Sequence, residues 1–153
     1  METQSSFWIN KAQHVVKTNL ELEAVLNENK AKNIIFFLGD GMGLQTTAAT
    51  RAYIDSEEHE LTFEKFPHFG LSKTYCVDSQ VADSGCSATA YLTGVKNNYR
   101  TIGLNAKVNR RDCVAGLDEK NHLESIARWA QKAGKATGFV TNTRVTHASP
   151  AGL

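Results

Sequence analysis

Five apolar residues in a row, Ile34-Ile-Phe-Phe-Leu38, stand between Asn33 and the alternating glycines Gly39, Gly41 and Gly43. A run this short, unbroken by polar residues and stopped by glycine, predicts a strand covered on both faces. Such strands belong to parallel sheets whose crossovers are helices, so this one feature sets the fold class as α/β. The following residues agree. Leu44 to Tyr53 has helical propensity, and residues 55–70, polar and carrying Pro67 and Gly70, read as a loop.

Further strands are expected at Leu71 to Val77 and Ala136 to Thr141. A helix of small residues is expected from Asp83 to Thr93, stopped by Gly94. A second helix is expected over 122–133, with Leu123, Ile126, Ala127 and Ala130 as its apolar stripe. Asn121 and Glu124 would form its capping pair, and Gly134 would end it. Residues 97–115 lack periodicity and read as irregular. Near the start, Trp8, Ala12, Val15 and Val16 share one helix face, which predicts an N-terminal helical arm over 1–30. Residues 31–153 form the α/β part, which stops at Ser149-Pro-Ala-Gly-Leu153 as though within an element.

A formal net charge of +1 gives no electrostatic reason to expect nucleic acid or an anionic membrane as partner. The cluster Asn109-Arg-Arg111, followed by Asp112, reads as a solvated loop. No stretch approaches the roughly 20 apolar residues of a membrane span, and no secretory leader is visible. The three cysteines, Cys76, Cys86 and Cys113, lack C-x-x-C spacing and fit either a reducing compartment or a secreted chain with one cysteine left over. Burial statistics for cysteine favour Cys76 and Cys86 as buried thiols.

Three stretches carry residues suited to chemistry. In Leu38-Gly-Asp-Gly-Met-Gly43, Asp40 follows the carboxyl end of the first strand, where open α/β sheets bind ligands. A carboxylate there suits a magnesium or zinc ion, or simply caps the next helix. In Val81-Ala-Asp-Ser-Gly-Cys-Ser87, Ser84 stands at a helix N-terminus, whose free N–H groups favour an anion beside its hydroxyl. With no histidine nearby, a metal would have to activate it; alternatively Asp83 or Ser84 is merely the cap. In Thr141-Asn-Thr-Arg-Val-Thr-His-Ala-Ser149, the hydroxyls, Arg144 and His147 follow another strand end and would face the same crevice.

Taken together, Phe37 to Gly43, Val81 to Tyr91 and Thr143 to Gly152 resemble the alkaline phosphatase family, of the animal kind, in the family's order and at fitting intervals. Tyr91-Leu-Thr-Gly-Val-Lys96 and Lys132-Ala-Gly-Lys-Ala136 extend the match, which runs from about Trp8 to Leu153. The resemblance implies a three-layer sandwich, a mostly parallel sheet flanked by helices, here incomplete. It implies hydrolysis of phosphate monoesters at a site of two zinc ions and one magnesium ion, through a phosphoserine. Asp40 would bridge the magnesium and one zinc, Ser84 would be nucleophile and zinc ligand, and Ser149 would bind magnesium through its hydroxyl. Asp83 would orient a phosphate-binding arginine, and His147 would lie near the magnesium without binding it.

The resemblance also implies a homodimer, lipid-anchored on the extracellular side of the membrane, and a partner for Cys113 further along the chain. The family's other metal ligands and its phosphate-clamping arginine come from later sequence. The expectation is therefore an incomplete phosphatase, inactive by itself. The alternative is a truncated, non-catalytic product that binds a full-length protomer.

Overall fold

The computed structural model describes residue 10, residues 13–18, 20–21 and 30–153. It divides into two compact units, Met1–Leu71 and Ser72–Leu153, each described by itself. In the first, residues 13–18 and 20–21 are helical. Val15 and Val16 are exposed there, and an i,i+4 pair joins Lys17 to Glu21 at 3.9 Å. Trp8 and Ala12, the other half of the expected face, lie outside the described residues.

Residues 33–38 form no strand, and all five apolar side chains, Ile34 to Leu38, are exposed. The expectation of a strand buried on both faces is not met. A strand makes no hydrogen bonds within itself, so it forms only where a neighbouring strand pairs with it. Residues 136–141 likewise form no strand, with Val140 fully exposed, and within 71–77 Cys76 alone takes part in a bridge. Among the described residues, pairing is limited to two isolated antiparallel bridges, Cys76 with Ser79 and Leu104 with His122.

Helices form where local rules suffice. α1 (Leu44–Ile54) starts from Gly43, an N-cap with no side-chain bond, so Asp40 is not its cap. A short 3-10 turn, Thr62–Lys65, interrupts the expected loop; Glu64 accepts the Leu61 N–H at 2.9 Å and pairs with Arg51 at 3.6 Å.

In the second unit, α2 (Ser84–Thr93) ends at Gly94, whose φ of 75° is the left-handed conformation that glycine alone adopts freely. α3 (Cys113–Leu117) is capped by Asp112, which accepts from the Ala115 N–H. α4 (Ile126–Lys132) is shorter than expected. Its N-cap is Ser125, while Asn121 closes a separate 3-10 turn, Glu119–Asn121. The Asn121–Glu124 capping pair is therefore not formed, and no residue of α4 is buried. Glu124 instead accepts from Lys132 Nζ at 2.5 and 2.7 Å. α5 (Ala148–Ala151) closes the order.

α2 is the centre of this unit, with α5 and α4 packed on it. The core is small and largely polar. Cys76, Cys86, Ala88, Leu92 and Val108 are buried alongside Thr89, Thr93, Asn97, Asn98, Thr101, Asn121 and Ser125. Several of the polar members bond with the irregular 97–108 segment, while Asn97 Oδ1 is buried without a hydrogen-bond partner. Thr89 Oγ1 donates to the Gly85 carbonyl at 3.0 Å and accepts from the Gly103 N–H at 3.0 Å. Asn97 Nδ2 donates to both oxygens of Thr101, and Asn98 Nδ2 to the carbonyls of Ala106 and Val108. Ser125 Oγ donates to the Leu153 carbonyl, tying the start of α4 to the residue beyond α5.

Gly152 sets how closely α5 approaches α2. A β-carbon there would lie 2.8 Å from the Ala88 Cβ and 3.2 Å from Leu92 Cδ1. Gly152→Ala is expected to destabilise the second unit by about 1–3 kcal/mol, read as a lowered urea midpoint at unchanged m. The Lys132 hydrogen bonds, aided by the charges of Lys132 and Arg128, hold the Glu124 carboxyl below its ordinary value of 4.5. Because the folded pKa is the lower one, the pair's contribution is present above the unfolded value and lost as pH falls through the folded value. An NMR titration should show this depression, and Lys132→Met should remove it.

Candidate active site

Asp40 occupies an exposed turn. The Met42 N–H donates to the Gly39 carbonyl at 3.3 Å, and Gly41, third in the turn, has φ of 65°. A side chain at Gly41 would be strained, so the alternating glycines present Asp40 at the tip of a tight loop just before α1. The carboxylate, a hard oxygen donor, fits a magnesium or zinc ion.

Ser84 opens α2 as its first helical residue and is half-buried. It is not the cap. That role falls to Asp83, whose Oδ2 accepts from the Gly85 N–H at 3.0 Å and whose Oδ1 accepts from the Cys86 N–H at 3.4 Å. Asp83 Oδ1 also accepts from the Arg100 N–H at 2.9 Å, so one carboxylate joins the helix start to a loop sixteen residues downstream of Ser84. Arg100 itself is held at φ of 59°. With Asp83 doing the capping, the Ser84 hydroxyl is released from that duty and sits in the field of the helix N-terminus.

Gly85 makes this geometry possible. A β-carbon there would meet Asp83 Oδ2 at 3.0 Å, Ile102 Cγ1 at 3.0 Å and the Thr101 carbonyl at 3.2 Å. The first turn of α2 thus presses directly on residues 101–102. A glycine inside a helix costs roughly 1 kcal/mol relative to alanine, so this close approach weakens the turn that carries Ser84.

A disulfide joins Cys76 to Cys86, with their α-carbons 5.9 Å apart. This corrects the expectation of two buried thiols. Both residues are indeed buried, each 2% exposed, but their sulfurs are bonded to each other. Burial statistics for single cysteines carry no information on pairing. The available sequence cue was two cysteines ten residues apart on either side of the Asp83-Ser84 motif. Closing a loop of that size stabilises by roughly 3 kcal/mol in the chain-entropy model. Cys113 is free and exposed. The ligand atoms of Cys76, Asp83 and Cys86 lie within 4.8 Å of one another, yet this is no metal centre: the sulfurs are consumed by the disulfide and Asp83 by three N–H donors.

Ser149 and His147 sit at the start of α5. His147 is its N-cap, and Nδ1 accepts from the Ser149 N–H at 3.3 Å. The proton of the neutral ring is therefore on Nε2. Ser149, half-buried, lies on the helix that packs against the helix opened by Ser84. The second unit thus assembles Asp83, Ser84, His147 and Ser149 on two neighbouring helices, while Asp40 belongs to the first.

A family model described as alkaline phosphatase matches residues 31–153. Membrane-bound alkaline phosphatase of Bombyx mori is 47% identical over 99% of this chain. The tissue-nonspecific isozymes of alkaline phosphatase from Rattus norvegicus and Homo sapiens are 47% and 46% identical, each over 97% of it. The chain spans 29% of the length of each of these three relatives.

Capping and nucleophile roles separate by mutation. Asp83→Ala is expected to cost about 2 kcal/mol in urea unfolding, because it orphans N–H donors at the helix start. Ser84→Ala is expected to cost clearly less.

Proposed function

Because the chain belongs to the alkaline phosphatase family, we propose that it contributes the nucleophile and part of the metal site of a phosphomonoesterase. The observation that carries this reading is the division of labour at α2, where Asp83 caps the helix and Ser84 stands first in it. The helix dipole favours an anion beside that first residue, while the Gly85 and Cys86 N–H groups are engaged by Asp83.

In the proposed reaction Ser84 Oγ attacks phosphorus in line, forming the Oγ–P bond as the ester P–O bond breaks and the alcohol leaves with a proton. Water then cleaves the phosphoserine to inorganic phosphate and restores the hydroxyl. Asp83 fixes the turn from which Ser84 attacks. By the family resemblance, the Asp40 carboxylate and the Ser84 and Ser149 hydroxyls would each be one oxygen ligand among several for the family's two zinc ions and one magnesium ion. Such ions would supply Lewis-acid stabilisation of the charge at phosphorus and on the attacking and leaving oxygens. His147, whose Nδ1 accepts from the Ser149 N–H, would stand beside this magnesium ligand without being one. Within the same reading lie the parallel-sheet sandwich, the division at residue 31 between an N-terminal arm and the catalytic portion, the homodimer and extracellular membrane attachment. The relatives include a membrane-bound alkaline phosphatase, which supports the membrane attachment; no helix among the described residues is long and apolar enough to cross a membrane.

The test is made on the native protein, captured from its source with an antibody to residues 109–122 and supplied with zinc and magnesium. Mass spectrometry of the Ser84 peptide after mixing with a phosphate monoester at acidic pH, where dephosphorylation is slowed, should find phosphoserine at Ser84. Ser84→Ala should lower kcat at least 10³-fold. Full activity in Ser84→Ala, or phosphate on a different residue, would remove Ser84 as nucleophile.

A further inference from the structure

The first turn of α2 combines a close packing requirement with weak intrinsic helicity. A β-carbon at Gly85 would be crowded by Asp83, Ile102 and Thr101 at 3.0–3.2 Å, and Ser84, Gly85 and Ser87 are poor helix formers. Left to local propensity, this turn would fray, and Ser84 would lose its fixed position. The next residue, Cys86, is covalently tied to Cys76.

Cys76 is itself firmly seated. Its N–H donates to the Ser79 carbonyl at 2.9 Å, and the adjacent Val77 N–H donates to the carbonyl of fully buried Asn97 at 3.0 Å. Asp78 accepts the Tyr99 N–H at 2.7 Å, and Lys96 Nζ donates to the carbonyls of Lys73 and Tyr75 while lying 3.9 Å from the Tyr75 ring centroid. The 96–101 segment that grips the Cys76 turn is also the one whose Arg100 N–H binds Asp83. The disulfide therefore closes a ring: Ser84's turn, Cys86, Cys76, the 96–101 segment, and Asp83 back to Ser84's turn.

We propose that the Cys76–Cys86 disulfide is a positioning clamp for Ser84, holding the first turn of α2 while leaving the rest of the helix to its own packing. The clamp is redox-dependent. A dithiol reductant would convert it to two thiols by passing on two electrons and two protons, itself closing to a disulfide, and would release the Ser84 turn. The role given to Ser84 rests on the phosphatase reading; the clamp on the turn does not.

The experiment is amide hydrogen exchange by NMR on the full 153-residue chain, well below its thermal midpoint, comparing wild type with Cys76→Ala/Cys86→Ala. The clamp predicts at least tenfold faster exchange at Gly85 and residue 86, with Leu92 and Thr93 at the far end of the same helix changing less than threefold. If the double variant unfolds, the same amides are followed in wild type reduced by dithiothreitol and then reoxidised; the Gly85 effect should appear on reduction and reverse on reoxidation. Uniform acceleration along α2, global unfolding in both cases, or no change at Gly85 would overturn the proposal, since each would make the disulfide a general staple or an inert one. In the native protein, reduction should lower kcat with KM little changed. Failure to find phosphate on Ser84 in the oxidised protein would defeat the phosphatase reading while leaving the exchange result intact.

Discussion

One carboxylate organises the second unit. Asp83 receives N–H groups from Gly85, Cys86 and Arg100, and its carbonyl accepts from both the N–H and the hydroxyl of Ser87. A buried or half-buried helix start has N–H groups that water cannot fully satisfy, and each left open costs on the order of 1–3 kcal/mol. Meeting them with one residue fixes the start of α2, and meeting a loop amide with the same residue fixes the 97–103 segment against it. From there the polar core follows. Thr89 reaches Gly103, Asn97 reaches Thr101, and Asn98 holds the Ala106–Val108 turn. With only five apolar residues buried, this unit depends on hydrogen-bond satisfaction where a larger domain would rely on area.

What was legible in the sequence was what is local. Helix α2 and its glycine stop, α1 after the glycine run, and the irregular segment from Asn97 up to Asp112, where α3 takes over, were readable because caps, left-handed glycines and missing periodicity act over a few residues. The start of α4 was misread since Asn121 and Glu124 fit a capping pair as well as Ser125 and Arg128 do. Tertiary demand decided it, as Ser125 also answers the Leu153 carbonyl. Strands were legible as patterns and are not formed as ladders, because a parallel strand is defined by neighbours that its own residues do not encode.

The candidate site divides along the same line. Ser84 and Asp40 are marked by their glycines, and Asp83 by its place before a small-residue helix. The Cys76–Cys86 bond was not legible, because pairing is a distance in space and two cysteines ten residues apart are compatible with thiols or a bridge alike. Nor was the Arg100 amide, whose bond to Asp83 arises from a left-handed backbone at a non-glycine residue that no motif announces.

The position of the third cysteine gives the bridge a kinetic dimension. Three thiols permit three pairings, and the two that involve Cys113 span more than twice and more than three times the separation between Cys76 and Cys86. Loop-closure entropy makes encounter across the shortest span the most frequent, by a factor of roughly four to seven. A nascent chain sampling oxidation before it has any core would therefore find the native pair first. The short span thus favours the Cys76–Cys86 bond before any core exists and keeps Cys113, exposed in the fold, clear of it.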